Sequence, residues 1–81
     1  MTEITIYSTP TCQYCKMAKE YFKGHNIKYE DIDVAANQDA ADLMIKKSGQ
    51  MGVPVIVINK SGKDYVLAGF NQKEISDILG I

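Results

Sequence analysis

Two cysteines, one histidine and no tryptophan occur among the 81 residues, and each scarcity narrows what the chain can do. A structural zinc site takes four ligands, which two cysteines and a lone His25 do not complete without recruited carboxylates. His25, between Gly24 and Asn26, reads more simply as a solvent-facing loop residue. Charge of one sign is also missing, with nine basic against ten acidic residues. That balance gives no electrostatic footprint for a nucleic acid or an anionic membrane, so neither is expected as a partner. No apolar window approaches the ~20 residues needed to span a bilayer. The start, "MTEITIYSTP", lacks the basic region and apolar core of a secretory leader, and the expected location is the cytosol. There is no internal repeat, low-complexity tract or linker. With 46% hydrophobic residues, the length suits one domain over residues 1–81, expected as a monomer.

What is present is a regular succession of elements. Glu3 to Tyr7, "EITIY", alternates polar and apolar residues and predicts a strand ending at Ser8-Thr9-Pro10. From Gln13 the residues Tyr14, Ala18, Tyr21 and Phe22 recur at helical spacing, and Gly24 stands where a helix stops. "IKYEDIDV", Ile27 to Val34, predicts a second strand with a bulge or a strand end near Asp31. A second helix is predicted over Gln38 to Ser48, closed by Gly49. Val53 to Asn59, "VPVIVIN", reads as a strand buried on both faces, and "KSGK" turns it into "DYVLA" as an antiparallel hairpin ended by Gly69. Asn71, with Glu74 three residues later, has the spacing of a capping box ahead of a last short helix. The order β-α-β-α-β-β-α predicts an α/β domain: a four-stranded mixed sheet, its first two strands parallel, flanked by three helices.

The two cysteines, Cys12 and Cys15, sit three residues apart directly after the first strand, at the start of the first helix. A thiolate attacks a disulfide and a thiol does not, so a redox cysteine needs support for negative charge. A helix N-terminus supplies it through unpaired N–H groups and the positive end of the helix dipole. Cys12 is therefore expected to be exposed and nucleophilic. Cys15, on the side of Ala18 and Phe22, is expected to be shielded and able to reach back, expelling product by forming the Cys12–Cys15 disulfide. In a reducing compartment a cysteine pair is more often catalytic or metal-binding than a permanent staple. Lys16 and Lys19 read as solvated residues of the exposed helix face. Val53-Pro54 allows two readings: a proline opening a strand, or a cis bond opposite the cysteines that leaves the Val53 backbone free to pair with an extended peptide.

"YSTPTCQYC", "GVPV" and "LAGFNQKEI", in this element order, resemble the glutaredoxins of the thioredoxin-fold superfamily over essentially the whole chain. The C-x-Y-C pair without a neighbouring tryptophan resembles glutaredoxins more than thioredoxins. The resemblance implies a thioredoxin-like fold and a glutaredoxin-type thiol-disulfide oxidoreductase. Its catalytic residues would be Cys12 as nucleophile and Cys15 as resolving thiol. Substrate or glutathione would be held by Tyr14, Val53, cis Pro54, Gly69, Phe70 and Asn71. No bound cofactor or metal is implied; glutathione would serve as co-substrate, and protein disulfides or glutathione mixed disulfides as substrates. Two positions depart from the glutathione-using pattern. Thr9 stands where many members carry Lys or Arg, and Gln72 replaces an acid that holds the γ-glutamyl group. The Gly69-Phe70 form also resembles small hydrogen donors of ribonucleotide reductase fed by thioredoxin reductase, though their C-V-Q-C pair is absent. A further reading, from another class, is a dimeric module binding an iron-sulfur cluster through Cys12 of two chains with glutathione.

Overall fold

The computed structural model describes residues 2–81. Four strands, β1 (Thr2–Ser8), β2 (Glu30–Asp33), β3 (Val55–Lys60) and β4 (Lys63–Ala68), and three helices, α1 (Gln13–Gly24), α2 (Gln38–Ser48) and α3 (Gln72–Leu79), follow in the order β1-α1-β2-α2-β3-β4-α3. The sheet order is β2-β1-β3-β4, with β1 parallel to β2 and both other pairings antiparallel. This is the expected mixed sheet and element order.

Alternation along the strands divides the core into two layers. Ile4 and Ile6 of β1 and Ile56 and Ile58 of β3 point to one face, where Ala18 and Phe22 of α1 and Ile75 of α3 cover them. Tyr7, Val55 and Val57 point the other way, against Ala40 and Met44 of α2. The run Val55 to Ile58 is buried on both faces, as its unbroken β-branched sequence implies. Ser61 (φ 55°) and Gly62 (φ 80°) close the β3–β4 hairpin, both with the positive φ that two-residue hairpin turns demand. The helix ends follow their local signals. Asn37 and Asn71 cap α2 and α3 by accepting the N–H of Ala40 (3.1 Å) and Glu74 (3.2 Å), and Gly49 ends α2 at φ 74°.

Three expectations need correction. Ile27 to Tyr29 do not join β2, which begins at Glu30; the Ile27 N–H instead bonds the Phe22 carbonyl at 2.9 Å and closes the end of α1. Ile27 and Tyr29 pack onto the core from the loop, so their apolar spacing reports burial without pairing. Val53 and Pro54 precede β3, because proline has no N–H to give the ladder. Tyr14 lies one residue off the buried stripe of Cys15, Ala18 and Phe22 and is 62% exposed.

Candidate functional site

The cysteine pair is built by the turn from β1 into α1. The Cys12 N–H bonds the Thr9 carbonyl at 3.3 Å, closing that turn, and Cys12 becomes the N-cap of α1 with φ −84° and ψ 117°. Its Sγ accepts the Cys15 N–H at 3.1 Å. A sulfur thus occupies the place that a serine or aspartate oxygen takes at other helix starts. Negative charge developing on it would meet that N–H and the positive end of the helix dipole. Cys12 is half-buried and Cys15 fully buried, both as free thiols. Burial pushes the Cys15 thiol up to about 12; its hydrogen bond with Cys12 acts the same way, while the Thr9 backbone and the Lys19 ammonium oppose the shift.

The sheet register carries the other candidate residues to the same end of the fold. Tyr7 opposes Val55, and Val55 opposes Ala68, so the exit of β1, the entry of β3 and the exit of β4 lie side by side. The Val53-Pro54 peptide bond is cis. Pro54 is buried, and its carbonyl accepts the Gly69 N–H at 2.8 Å, joining Val53-Pro54 to Gly69-Phe70-Asn71. Gly69 has φ 104°, which an L side chain rarely adopts. Val53 pairs with no strand, and its side chain rests on the α2 layer of the core.

Phe70 is half-buried and meets Tyr21 of α1 edge-to-face with ring centroids 5.9 Å apart. Its ring therefore fastens the loop to α1. Asn71 spends its side-chain oxygen on the cap of α3, leaving its amide N–H₂ free of that bond. Tyr14 and Met51 are exposed, in the motif and just before the cis bond respectively. His25 is not part of this end: it follows α1, and its ring meets Tyr21 at a tilt with centroids 4.6 Å apart. A cleft of about 480 Å³ lined by Tyr21, His25, Gln72, Lys73, Ser76 and Ile81 contains neither cysteine. Among the described residues no group of three or more His, Cys, Asp or Glu side chains could hold a metal, and no helix is long and apolar enough to cross a membrane.

A charged cluster beside the dithiol escaped the sequence reading. The Ser8 hydroxyl, 2% exposed, donates to Asp31 Oδ1. Asp31 Oδ2 in turn holds Lys19 Nζ at 2.9 Å. Lys19 is thus tied across to β2 and is not the freely solvated residue its place on the helix suggested. Burial pushes the Asp31 carboxyl up, but hydrogen bonds from Ser8 and Lys19 and the Lys19 charge outweigh it and hold the group below its ordinary value. The hydrogen bond to Asp31 raises Lys19 above its own. The one signal in the sequence was the four-residue step from Cys15 to Lys19; the partner on β2 depends on register.

Comparison with known proteins bears on this arrangement. A family model for glutaredoxin matches residues 4–62, which includes both cysteines and Val53-Pro54 but stops before Gly69. An uncharacterized glutaredoxin-like 8.6 kDa protein in the rubredoxin operon of Clostridium pasteurianum is 43% identical over 76 residues, 94% of this chain and 96% of that one. Glutaredoxin 3 of Escherichia coli K12 is 32% identical over 59 residues, 73% of this chain and 71% of that one. Among solved structures, the glutaredoxin-like NrdH-redoxin of Escherichia coli, described for its thioredoxin-like activity profile, superposes with TM-score 0.78 at 25% identity, over 94% of this chain and 93% of that one.

Proposed function

The chain belongs to the glutaredoxin family and has a thioredoxin-like fold, and from that premise we propose that it reduces protein disulfides or glutathione mixed disulfides through Cys12 and Cys15. The observation that carries this reading is the half-buried Cys12 sulfur at the head of α1, bonded by the Cys15 N–H, with the Cys15 thiol buried behind it.

The Cys12 thiolate attacks one sulfur of the substrate disulfide, and the other leaves as a thiolate with the bonding pair. Cys15, after losing its proton to solvent, attacks the Cys12 sulfur. The Cys12–Cys15 disulfide forms, and the second substrate thiolate departs. Two electrons have passed to the substrate. Two glutathione molecules, or a thioredoxin reductase, then return the pair to thiols. An extended substrate segment would lie along the unpaired backbone of Val53 beside Pro54, between Tyr14 and Gly69-Phe70-Asn71. The amide of Asn71 and the N–H groups opening α3 suit a carboxylate such as that of glutathione. The protein itself needs no bound cofactor, and the reading implies a monomer working in the cytosol.

A second reading is favoured by Thr9 and Gln72, which place no charge where glutathione-using relatives carry a cation and an acid. It makes the protein a dedicated hydrogen donor, fed by thioredoxin reductase, to one reductase such as ribonucleotide reductase. The similarity to a redoxin with a thioredoxin-like activity profile points the same way. The test is turnover of a small mixed disulfide with glutathione and glutathione reductase, run beside thioredoxin reductase, on wild type, Cys12→Ser and Cys15→Ser. Glutathione-driven turnover that is lost in Cys12→Ser and survives Cys15→Ser supports the first reading. Turnover with thioredoxin reductase alone, lost in both variants, supports the second. Inactivity with both donors would sink the two together.

A further inference from the structure

The resolving step poses an electrostatic problem. A sulfur fully enclosed in the core must carry negative charge before it can attack, and charge without solvent is costly. Ser8, Asp31 and Lys19 lie on the side of the sheet where that charge forms. Ser8 follows Ile4 and Ile6 at alternate positions of β1, and Asp31 opposes Ile6, so both face the α1 layer that contains Cys15. Lys19 is one turn beyond Cys15 on α1, the spacing that makes helical side chains neighbours. Its 2.9 Å bond to Asp31 fixes where the ammonium sits, and the buried Ser8 hydroxyl fixes Asp31 in turn.

We infer that Lys19, tethered by Asp31 and Ser8, is a positioning residue for the resolving step: its ammonium supplies the positive charge that Cys15 needs when it becomes the attacking sulfur. The charged and titratable groups that act on Cys15 include Cys12 and Lys19; those that act on Lys19 include Asp31, Tyr29 and Cys15, and those that act on Asp31 include Lys19 and Lys23, with the Ser8 hydroxyl hydrogen-bonded to it. The Lys19 charge acts on the Cys15 thiol against the upward push of burial. Lys19 is charged throughout the neutral range, and the bond to Asp31 raises it further. In the reaction the Cys15 proton goes to solvent, the Cys15–Cys12 bond forms, and the bond from Cys12 to the substrate sulfur breaks with its electron pair.

This inference rests on the disulfide chemistry proposed above, and the experiment separates the two. Reduced protein is mixed in stopped flow with dithiobis(nitrobenzoate), an aromatic disulfide that releases a coloured thiolate. The first release reports attack by Cys12 and the second reports resolution by Cys15. In Lys19→Gln the second phase is expected to slow by about tenfold near neutral pH, and its pH profile to move to higher pH, with the first phase unchanged. Lys19→Arg is expected to restore both the rate and the profile. A second phase in Lys19→Gln equal to wild type in rate and pH profile overturns the inference, and so does equal slowing of both phases. Failure of wild type to release any thiolate would instead overturn the proposed function.

Discussion

The sulfurs of Cys12 and Cys15 differ in surroundings more than in distance along the chain. Cys12 caps a helix at the edge of solvent, whereas Cys15 is enclosed under α1 and its thiol is pushed up to about 12, chiefly by burial. An alkylating reagent therefore distinguishes them in the folded, reduced protein. Brief treatment with iodoacetamide near neutral pH is expected to modify Cys12 and to leave Cys15 free until denaturant is added, as read by peptide mass mapping. Equal labelling of both would contradict the shielding of Cys15. This asymmetry was legible in the sequence because a strand end, two cysteines and a helical stripe through Ala18 and Phe22 fix the angle between the two side chains. The place of Tyr14 was not, since its shift of one residue from that stripe turns it about 100° away and into solvent.

At the scale of elements, the ends were legible where a cap or a turn residue marks them, as at Gly49, Asn71 and the Lys60 to Lys63 turn. They were illegible where an apolar side chain is buried without its backbone pairing, as at Ile27 and Tyr29. The bond from Lys19 to Asp31 was hidden for a related reason: it joins α1 to β2, and only the β1–β2 register brings Asp31 beneath the helix. That link makes a testable contribution to stability. The folded Asp31 carboxyl titrates below its unfolded value of 3.8, so its contribution is fully present above that value and is lost as pH falls through the folded one. Lys19 titrates above its ordinary 10.5 when folded, so its part is lost only in strongly alkaline solution. Urea midpoints of wild type and Asp31→Asn are expected to differ at about pH 6 and to converge towards about pH 3. A constant difference across that range would mean that Asp31 acts through packing and not through charge.

For the whole molecule, small size sets the margin. A chain of 81 residues is expected to have about 4–12 kcal/mol of stability. Phe22 is fully buried in the layer that also holds Ile6, Ile56 and Ile75, where no neighbour is free to fill its place. Phe22→Ala is expected to cost about 3–5 kcal/mol and to lower the melting temperature by roughly 15–30 °C. Because α1 covers that layer and also carries Cys15, the loss should be felt at the dithiol. If the Cys15 thiol meets reagent only when the domain opens as a unit, its labelling rate in native buffer rises with the open population, about 10²-fold or more for that cost. Cys12, accessible without opening, should label at nearly its original rate. Measured together, the two rates and the urea stability decide how the site is held. A rise at Cys15 that matches the stability lost means that the core itself guards the resolving thiol. Unchanged labelling of Cys15 in a destabilised variant would mean that the start of α1 opens locally, independently of the layer beneath it.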